Sequence, residues 1–219
     1  MITATQLMKN ETIKTYITQA DASLAALGYT EHSFAHVTEV GKRAKYILET
    51  LGYSEREIEL TQIAALLHDV GNLVNRVDHS QSGAVMAFRL LDKLGMDAED
   101  IAVVVTAIGN HDETTGEAVN SVAAALIIAD KSDVRSTRVR NTDNSNFDIH
   151  DRVNYSVKKS SINIDSNKKT IELKLEVDTK YSSIMDYFEI FLTRMNLCRR
   201  AAEKLGLAFK LVMNDQSLI

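Results

Sequence analysis

Two stretches of the chain place metal-binding side chains at the end of an apolar run. AALLHDVGN, residues 64–72, follows four apolar residues with His68 and Asp69, and then has a glycine two residues later. LIIADKSD, residues 126–133, follows an aliphatic run with Asp130. Burying an unpaired carboxylate is costly, and a divalent cation shared by several ligands offsets that cost. These residue types therefore indicate a metal site beyond the ends of two helices.

Histidines earlier in the chain extend this candidate site. His36 continues the apolar face of a predicted helix, and His32 lies four residues before it on the same face. A lone inward-facing histidine is usually a core residue whose ring makes one hydrogen bond, and that alternative stays open for each histidine taken singly. His68 and Asp69 diverge by about 100° on a helix, so they can share one ion only beyond its end, where Gly71 breaks the backbone.

In type and order, these residues resemble the signature of the HD superfamily of metal-dependent phosphohydrolases, which is a His, a His-Asp pair and a distant Asp. Four blocks resemble a bacterial subgroup that hydrolyses diadenosine tetraphosphate symmetrically at a site with two irons: TEHSFAHVTEV, AALLHDVGN, DHSQSGAVMAFRLLDKLGMDAEDIAVVVTAIGNHDETTG and AALIIADKSDVRSTR. The resemblance covers about residues 29–140.

The resemblance implies two sets of metal ligands: His36, His68, Asp69 and Asp130 for the first ion, and His79 and His111 with Asp69 bridging for the second. His79 lies just before a predicted helix and His111 at the end of another, which agrees with a shared cavity. The alternative for His111 is a histidine favoured by the helix dipole.

The chain departs from the subgroup in two ways. Members often have a lysine three residues after the aspartate, where this chain has Asn72, so a cation near the phosphate is missing unless Arg135 or Arg138 replaces it. Residues 150–219 have no counterpart in the subgroup. The substrate is therefore less defined than the chemistry.

The ligand set indicates the chemistry. Imidazoles with carboxylates favour two divalent transition-metal ions, iron or manganese first, over magnesium. Two ions about 3.5–4 Å apart would activate a shared water, so that metal-bound hydroxide attacks a phosphoryl group in line. Asp69, as the bridging ligand, is then central to catalysis.

Arg135 and Arg138 would bind phosphate oxygens, unless they are exposed loop residues. His32 would donate a proton to the leaving oxygen, orient a phosphate or support neighbouring ligands.

The periodicity of apolar residues predicts the elements that position this site. Up to about residue 133, a period of three to four predicts six helices. The first ends at Gly28, the second at Gly52, and the third begins at Ser54, with Glu57 in a capping box, and ends at Gly71. The others are expected at about residues 80–94, 98–110 and 118–131.

The stretch STRVRNTDNSNFDIHD, residues 136–151, predicts a loop, after which the period of apolar residues changes to two. Residues 171–177 alternate and predict a hairpin with a partner strand over 153–164, across the turn DSNKK. A helix follows over 184–205, and AFKLVM, residues 208–213, is a possible closing strand. Because an isolated hairpin is marginal in water, we expect this tail to pack on the core or across a homodimer.

The predicted fold class is mainly α: an HD-type helical bundle with a small C-terminal α+β appendage, a β-hairpin plus helix. The predicted divisions are an N-terminal helix packing on the core at 1–28, the HD core at 29–150 and the appendage at 151–219.

Composition and charge limit the classes of ligand that the chain is expected to bind. A net charge of −5 argues against a nucleic-acid polymer as ligand. Residues 134–174 nevertheless hold nine Lys or Arg against five Asp or Glu, so we expect an anion to bind there, unless these are ordinary solvated lysines. No apolar run is long enough for a membrane span or signal peptide, and the single cysteine, Cys198, permits no internal disulfide. A cytoplasmic location is expected.

The predicted function is hydrolysis of a phosphoester or phosphoanhydride of a nucleotide or dinucleotide by metal-bound hydroxide. The alternative is a metal-containing HD regulatory or binding module without turnover, which Asn72 and the unmatched tail motivate. A di-iron oxygenase is a third possibility, because a fold does not define a reaction.

Two other catalytic chemistries are disfavoured. A thiol nucleophile is disfavoured because the helical phase of Cys198 predicts that its side chain is buried. A zinc protease is disfavoured because HSFAH lacks the glutamate of a zinc-protease helix.

Overall fold

The computed structural model describes residues 1–167 and 169–218. The described residues form a helical bundle followed by a small sheet. The helices are α1 (Ala4–Met8), α2 (Glu11–Ala26), α3 (Phe34–Thr50), α4 (Glu55–Leu67), α5 (His79–Lys93), α6 (Ala98–Gly109), α7 (Ser121–Lys131), α8 (Ile149–Ser156) and α9 (Ile184–Lys204). The strands are β1 (Val157–Asp165), β2 (Thr170–Val177), β3 (Ala208–Met213) and β4 (Gln216–Ser217). The predicted fold class is confirmed.

Helix α7 is the centre of the bundle. Its residues 122–129 are all small or aliphatic and all buried, as expected for a helix that is apolar on every side. It packs against α3, α4, α6 and α9. Asn120 begins the helix because its side-chain oxygen accepts a hydrogen bond from the amide of Ala123. Asp130 therefore emerges from the best buried helix of the protein.

The C-terminal segment packs on this bundle. Strands β1 and β2 form the predicted antiparallel hairpin, and α9 returns the chain so that β3 runs parallel to β2. The inward residues of β2 are buried, and α9 packs on both α7 and β3. Arg43 of α3 joins the two parts, donating to the backbone oxygens of Ser132 (2.7 Å) and Ser160 (3.1 Å). One apolar core therefore runs through bundle and appendage, and the three-part division of the chain stays a prediction.

Three expectations about local structure are wrong. Residues 153–156 belong to helix α8 rather than to a strand, because the Asp148 side chain caps a helix by accepting from the amide of Asp151. The predicted loop over 136–151 contains two short 3₁₀ turns and the start of α8. Gly71 does not end α4, which ends at Leu67 with His68 as its cap residue. In the hairpin turn, Lys168 lies outside the described residues.

Gly71 has a packing role instead. It lies in a 3₁₀ turn, residues 70–73, that packs between α2 and α5. A Cβ at this position would lie 2.0 Å from the carbonyl oxygen of His79 and 2.5 Å from the amide nitrogen of Gly83. The absence of a side chain thus lets the turn after Asp69 approach α5. No helix among the described residues has the length and apolar character needed to cross a membrane.

We predict that Gly71→Ala lowers the free energy of unfolding by about 1–3 kcal/mol or more, because backbone atoms of α5 must move to admit the methyl group. The matched control is Gly41→Ala in the interior of α3, where the nearest atom to the added Cβ is Ala65 Cβ at 3.9 Å. That variant should be unchanged or more stable, by up to about 1 kcal/mol. Chemical denaturation of both variants measures the difference, and equal midpoints would contradict the close approach.

Candidate metal centre

The ends of five helices bring the six predicted ligands together. His36 lies in the first turn of α3, His68 caps α4, Asp69 follows it, His79 begins α5, His111 follows α6 and Asp130 lies near the end of α7. The four imidazoles are buried, and the side chains of Asp69 and Asp130 are only 8% and 11% exposed. Their assignment as ligands stays a prediction, but the side chains do converge.

The carboxylate of Asp69 lies between two pairs of histidines. The Nε2 atoms of His36 and His68 are 3.3 Å apart, and those of His79 and His111 are 3.1 Å apart. Asp69 Oδ2 is 3.1 Å from His68 Nε2, and Asp69 Oδ1 is 3.5 Å from His79 Nε2. One carboxylate therefore reaches both pairs with different oxygens, which is the geometry of a bridging ligand.

Each imidazole is anchored through its other nitrogen. The four Nδ1 atoms lie within hydrogen-bond distance of an oxygen acceptor: Asp133 Oδ2 for His36 (2.8 Å), Ala65 O for His68 (2.8 Å), Arg76 O for His79 (3.1 Å) and Ile108 O for His111 (2.6 Å). An Nδ1 that donates leaves a lone pair on Nε2 when the ring is neutral. Four Nε2 lone pairs and two carboxylates consequently face one another.

This donor set fits divalent transition metals. Two groups of three ligand atoms lie within 4.8 Å of one another: His36, His68 and Asp130, and His68, Asp69 and His111. Acceptor atoms that converge on one another repel, and a cation or bound protons among them relieve that repulsion. Mixed nitrogen and oxygen ligands suit iron, manganese or zinc better than magnesium.

The protonation states of the cluster are strongly perturbed. Burial lowers the pKa of His111 to about 3, and the nearby cationic His68 and Lys131 act in the same direction. Burial also opposes a charge on His68, but the carboxylates of Asp69 and Asp130 raise its pKa to about 10. Without a metal ion, the two carboxylates thus favour a proton on His68.

Side chains behind the ligands orient them. Asp133 is fully buried and accepts from Arg135 Nε (3.0 Å) as well as from His36. Burial would raise the pKa of Asp133, but the hydrogen bond from His36 and the nearby arginines hold it well below its usual value. Asn72 is also buried and donates to Asp69 Oδ1 at 3.0 Å. Such partners set the direction and basicity of metal ligands.

Next to the cluster is a cavity of about 320 Å³. Arg138 lines it, with Nε donating to the backbone oxygen of Glu31 and Nη1 to that of Asp133, each at 2.8 Å. Arg135 is not among the lining residues, since its side chain is turned to Asp133, Thr137 and Glu31. Of the two arginines predicted to bind phosphate, the structure therefore places Arg138 at the cavity and Arg135 behind it.

The sequence interpretation missed several lining residues: Tyr29, Arg76, Glu113, Asn154, Phe191 and Arg194. Arg76 Nη1 lies 3.4 Å from His79 Nε2 and 3.4 Å from Asn72 Oδ1, so Arg76 brings a cation to the region where the subgroup has its lysine. Arg76 lies only three residues before His79 in the sequence, and this proximity was a signal that could have found it.

The predicted anion-binding segment is only partly at the cavity. Arg138 and residues near 150 line it, but two of the described lysines of the hairpin pair with carboxylates instead. Lys158 contacts Asp178, and Lys174 contacts Asp215. For these lysines the alternative of solvated surface charges is the correct one.

His32 lines the cavity as a neutral acceptor. Its Nδ1 is 2.7 Å from the carbonyl oxygen of Thr30, so Nδ1 donates and Nε2 has a lone pair. Burial holds the pKa of His32 well below its usual value, and Arg138 adds to this effect. The tautomer favours an orienting role for His32 over donation of a proton.

Comparison with known proteins gives one family match. Residues 33–137, which include all six converging side chains, match the family model described as HD domain. The chain is 26% identical over 104 residues to an uncharacterized protein of Methanocaldococcus jannaschii, MJ1020, and the match covers 41% of this chain and 40% of that protein. The chain thus spans about two fifths of that relative's length.

Among solved structures, a predicted HD superfamily hydrolase from an uncultured Thermotogales bacterium is similar, with a TM-score of 0.47 and 26% identity. The similarity covers 62% of this chain and 76% of the other.

We predict that Asp133→Asn weakens manganese binding by about 10- to 100-fold, because the charge that orients and polarises His36 is lost. The control is Asp112→Asn, since Asp112 Oδ2 lies 3.8 Å from His79 Nδ1, beyond hydrogen-bond distance, and should cost less than about threefold. Equilibrium dialysis against Mn²⁺ measures both. Equal losses in the two variants would contradict the orienting role of Asp133.

We also predict that metal binding releases a proton. His68 is protonated at neutral pH because its pKa is raised to about 10, and only the neutral ring binds a metal ion. Affinity for Mn²⁺ should therefore rise with pH, by up to about tenfold per unit below the pKa of His68. Calorimetry in two buffers of different ionisation enthalpy counts the protons. No proton release at neutral pH would contradict this protonation state.

Proposed function

We propose that the chain is a metal-dependent phosphohydrolase. Its HD-matched segment, residues 33–137, would hold two divalent transition-metal ions, iron or manganese, and act on a phosphoester or phosphoanhydride of a small molecule, in particular a nucleotide or dinucleotide. The observation that carries the proposal is the convergence of four imidazole Nε2 atoms and two carboxylates beside a cavity with arginine side chains in its wall.

Two arginines in the wall of the cavity support a phosphate ligand. Arg76 is half-buried, and the structure records no carboxylate partner for it among the described residues. Arg138 is buried, and its hydrogen bonds use Nε and Nη1 on backbone oxygens. Guanidinium groups with donors to spare match the oxygens of a phosphate. Arg76 and Arg138 are thus the proposed phosphate-binding residues, and Arg135 supports Asp133 from behind.

The chain's own residues perform most of the remaining work. A divalent ion at the cluster would supply Lewis-acid charge to a phosphoryl oxygen and lower the pKa of water. Asn72 holds Asp69 in one orientation, and Asp133 does the same for His36. The Nε2 lone pair of His32 accepts a hydrogen bond and orients water or a substrate hydroxyl in the cavity. Helices α8 and α9 close part of the cavity and limit the access of bulk water.

The finer assignment rests on the sequence resemblance to the diadenosine tetraphosphate hydrolases. Arg76 lies near the position where the subgroup has its lysine, and this supports the assignment because Arg76 supplies a cation close to His79. A cavity of about 320 Å³ is at the small end of ligand sites, so it takes one nucleotide end rather than a whole dinucleotide. A homodimer and a cytoplasmic location are part of the same hypothesis.

The experiment combines metal analysis with a substrate screen. Protein purified without oxygen should contain two equivalents of iron or manganese and cleave one class among nucleotides, dinucleoside polyphosphates and cyclic dinucleotides. Asp69→Asn should lose bound metal, and its activity should fall at least about 100-fold. The loss is large because the substitution removes a metal ligand itself and not a residue that only orients a ligand. The control Asp92→Asn changes an exposed residue of α5 and should do neither.

The outcomes separate the hypotheses. A protein that holds metal but cleaves no phosphoester would contradict the enzyme and favour a binding module. A protein that holds no metal under these conditions would contradict both.

A further inference from the structure

Arg194 lines the cavity from outside the HD-matched segment. It lies on α9, and its Nε donates to Glu113 Oε1 at 2.9 Å. Its guanidinium carbon lies 4.4 Å from the ring centroid of Phe191, which also lines the cavity. The side chain is 25% exposed. Stacking on one face and an ion pair at one edge hold the guanidinium in a single position.

A chain of alternating charges links Arg194 to the metal cluster. Glu113 Oε2 is 2.8 Å from Lys131 Nζ, and Lys131 Nζ is 2.8 Å from Asp130 Oδ2. Lys131 is thus neutralised by carboxylates on two sides, and Glu113 by cations on two sides. Arg194 is the end of this chain and has one carboxylate partner, at Nε. Among the described residues, the structure records no acceptor for its Nη1 and Nη2 atoms.

We propose that Arg194 binds a second anionic group of the substrate, a phosphate or carboxylate, while the scissile phosphoryl group lies at the metal cluster. The inference rests on the proposed function. The preferred substrate would then be a phosphate compound with a second anionic group and not a simple monoester. Two terminal amino groups of a guanidinium that is already held in place can form a bidentate pair with such an anion.

The position of Arg194 separates it from the scissile group. Arg76 contacts His79 directly and Arg138 contacts the residue that orients His36, so these two are next to the ligands. Between Arg194 and Asp130, in contrast, lie the side chains of Glu113 and Lys131. Because α9 lies outside residues 33–137, this contact would give the chain a specificity that its HD domain alone does not have.

Binding of non-hydrolysable phosphonates tests the inference without turnover. The probes are methylphosphonate, with one anionic group, methylenediphosphonate, with two phosphonates, and phosphonoacetate, with a phosphonate and a carboxylate. Calorimetry on manganese-loaded protein should give at least about tenfold tighter binding for one or both of the two-group probes. The two-group probe that binds more tightly identifies the second group as phosphate or carboxylate.

Variants of α9 locate the effect. Arg194→Gln should lose most of that preference, measured as the ratio of two-group to one-group affinity, while Arg194→Lys, which keeps the charge without the fork, should retain part of it. Arg199→Gln, an exposed arginine on the same helix, is the control and should keep the full preference. Thermal denaturation verifies that each variant is folded, and Arg194→Lys decides the matter if Arg194→Gln is unfolded.

The measurements distinguish a failure of the Arg194 inference from a failure of the proposed function. If methylphosphonate binds and the preference is absent, or is equal in wild type and the Arg194 variants, the inference is wrong and the proposed function stands. If none of the three probes binds the manganese-loaded protein, the phosphate site itself is wrong, and the inference falls with it.

Discussion

Mutual repulsion of acceptor atoms dominates the energetics of the buried centre of this protein. Each of the four histidines is held by a hydrogen bond at Nδ1, so that its Nε2 points at carboxylates and at another Nε2. In a buried space, such an arrangement is stable only if positive charge is placed among the acceptors. Part of that charge can be a proton on His68, but one proton is shared by at most two of the six groups. Divalent cations among the six groups could contact all of them, and this is the physical reason for regarding the cluster as a candidate metal centre.

The fold brings these acceptors together because the termini of five helices meet at one place. The turn after α4 can approach α5 only because Gly71 has no side chain, and this contact brings the His68 and Asp69 pair close to His79. The aliphatic residues of α7 place Asp130 at the end of a fully buried helix. Asn72 and Asp133 then restrict the rotation of Asp69 and His36. The appendage adds to the cavity what the bundle lacks, namely the wall that contains Phe191 and Arg194.

Much of this could be predicted from the sequence, because local rules decide it. Ser54 and Glu57 form the expected capping box, residues 171–177 alternate as expected, and the six ligand candidates converge. The errors have two sources. At residues 153, 155 and 157 two local signals conflict, since the alternation of apolar residues suits a strand, yet the cap at Asp148 makes a short helix. For two arginines, contacts distant in the sequence decide. Arg135 is turned away from the cavity by Asp133 and Glu31, and Arg194 enters it from α9, 81 residues after Glu113. Periodicity contains no information on such long-range side-chain directions.

In the proposed function, two cations would occupy the space between the histidine pairs and share Asp69. A crystal structure of manganese-loaded protein, with anomalous diffraction at the manganese edge, shows whether they do. We expect two anomalous peaks, one among His36, His68 and Asp130 and one beside His79 and His111, with Asp69 contacting both. A single peak would contradict the dinuclear site, and no peak within the cluster, in protein that binds manganese, would contradict the metal centre itself.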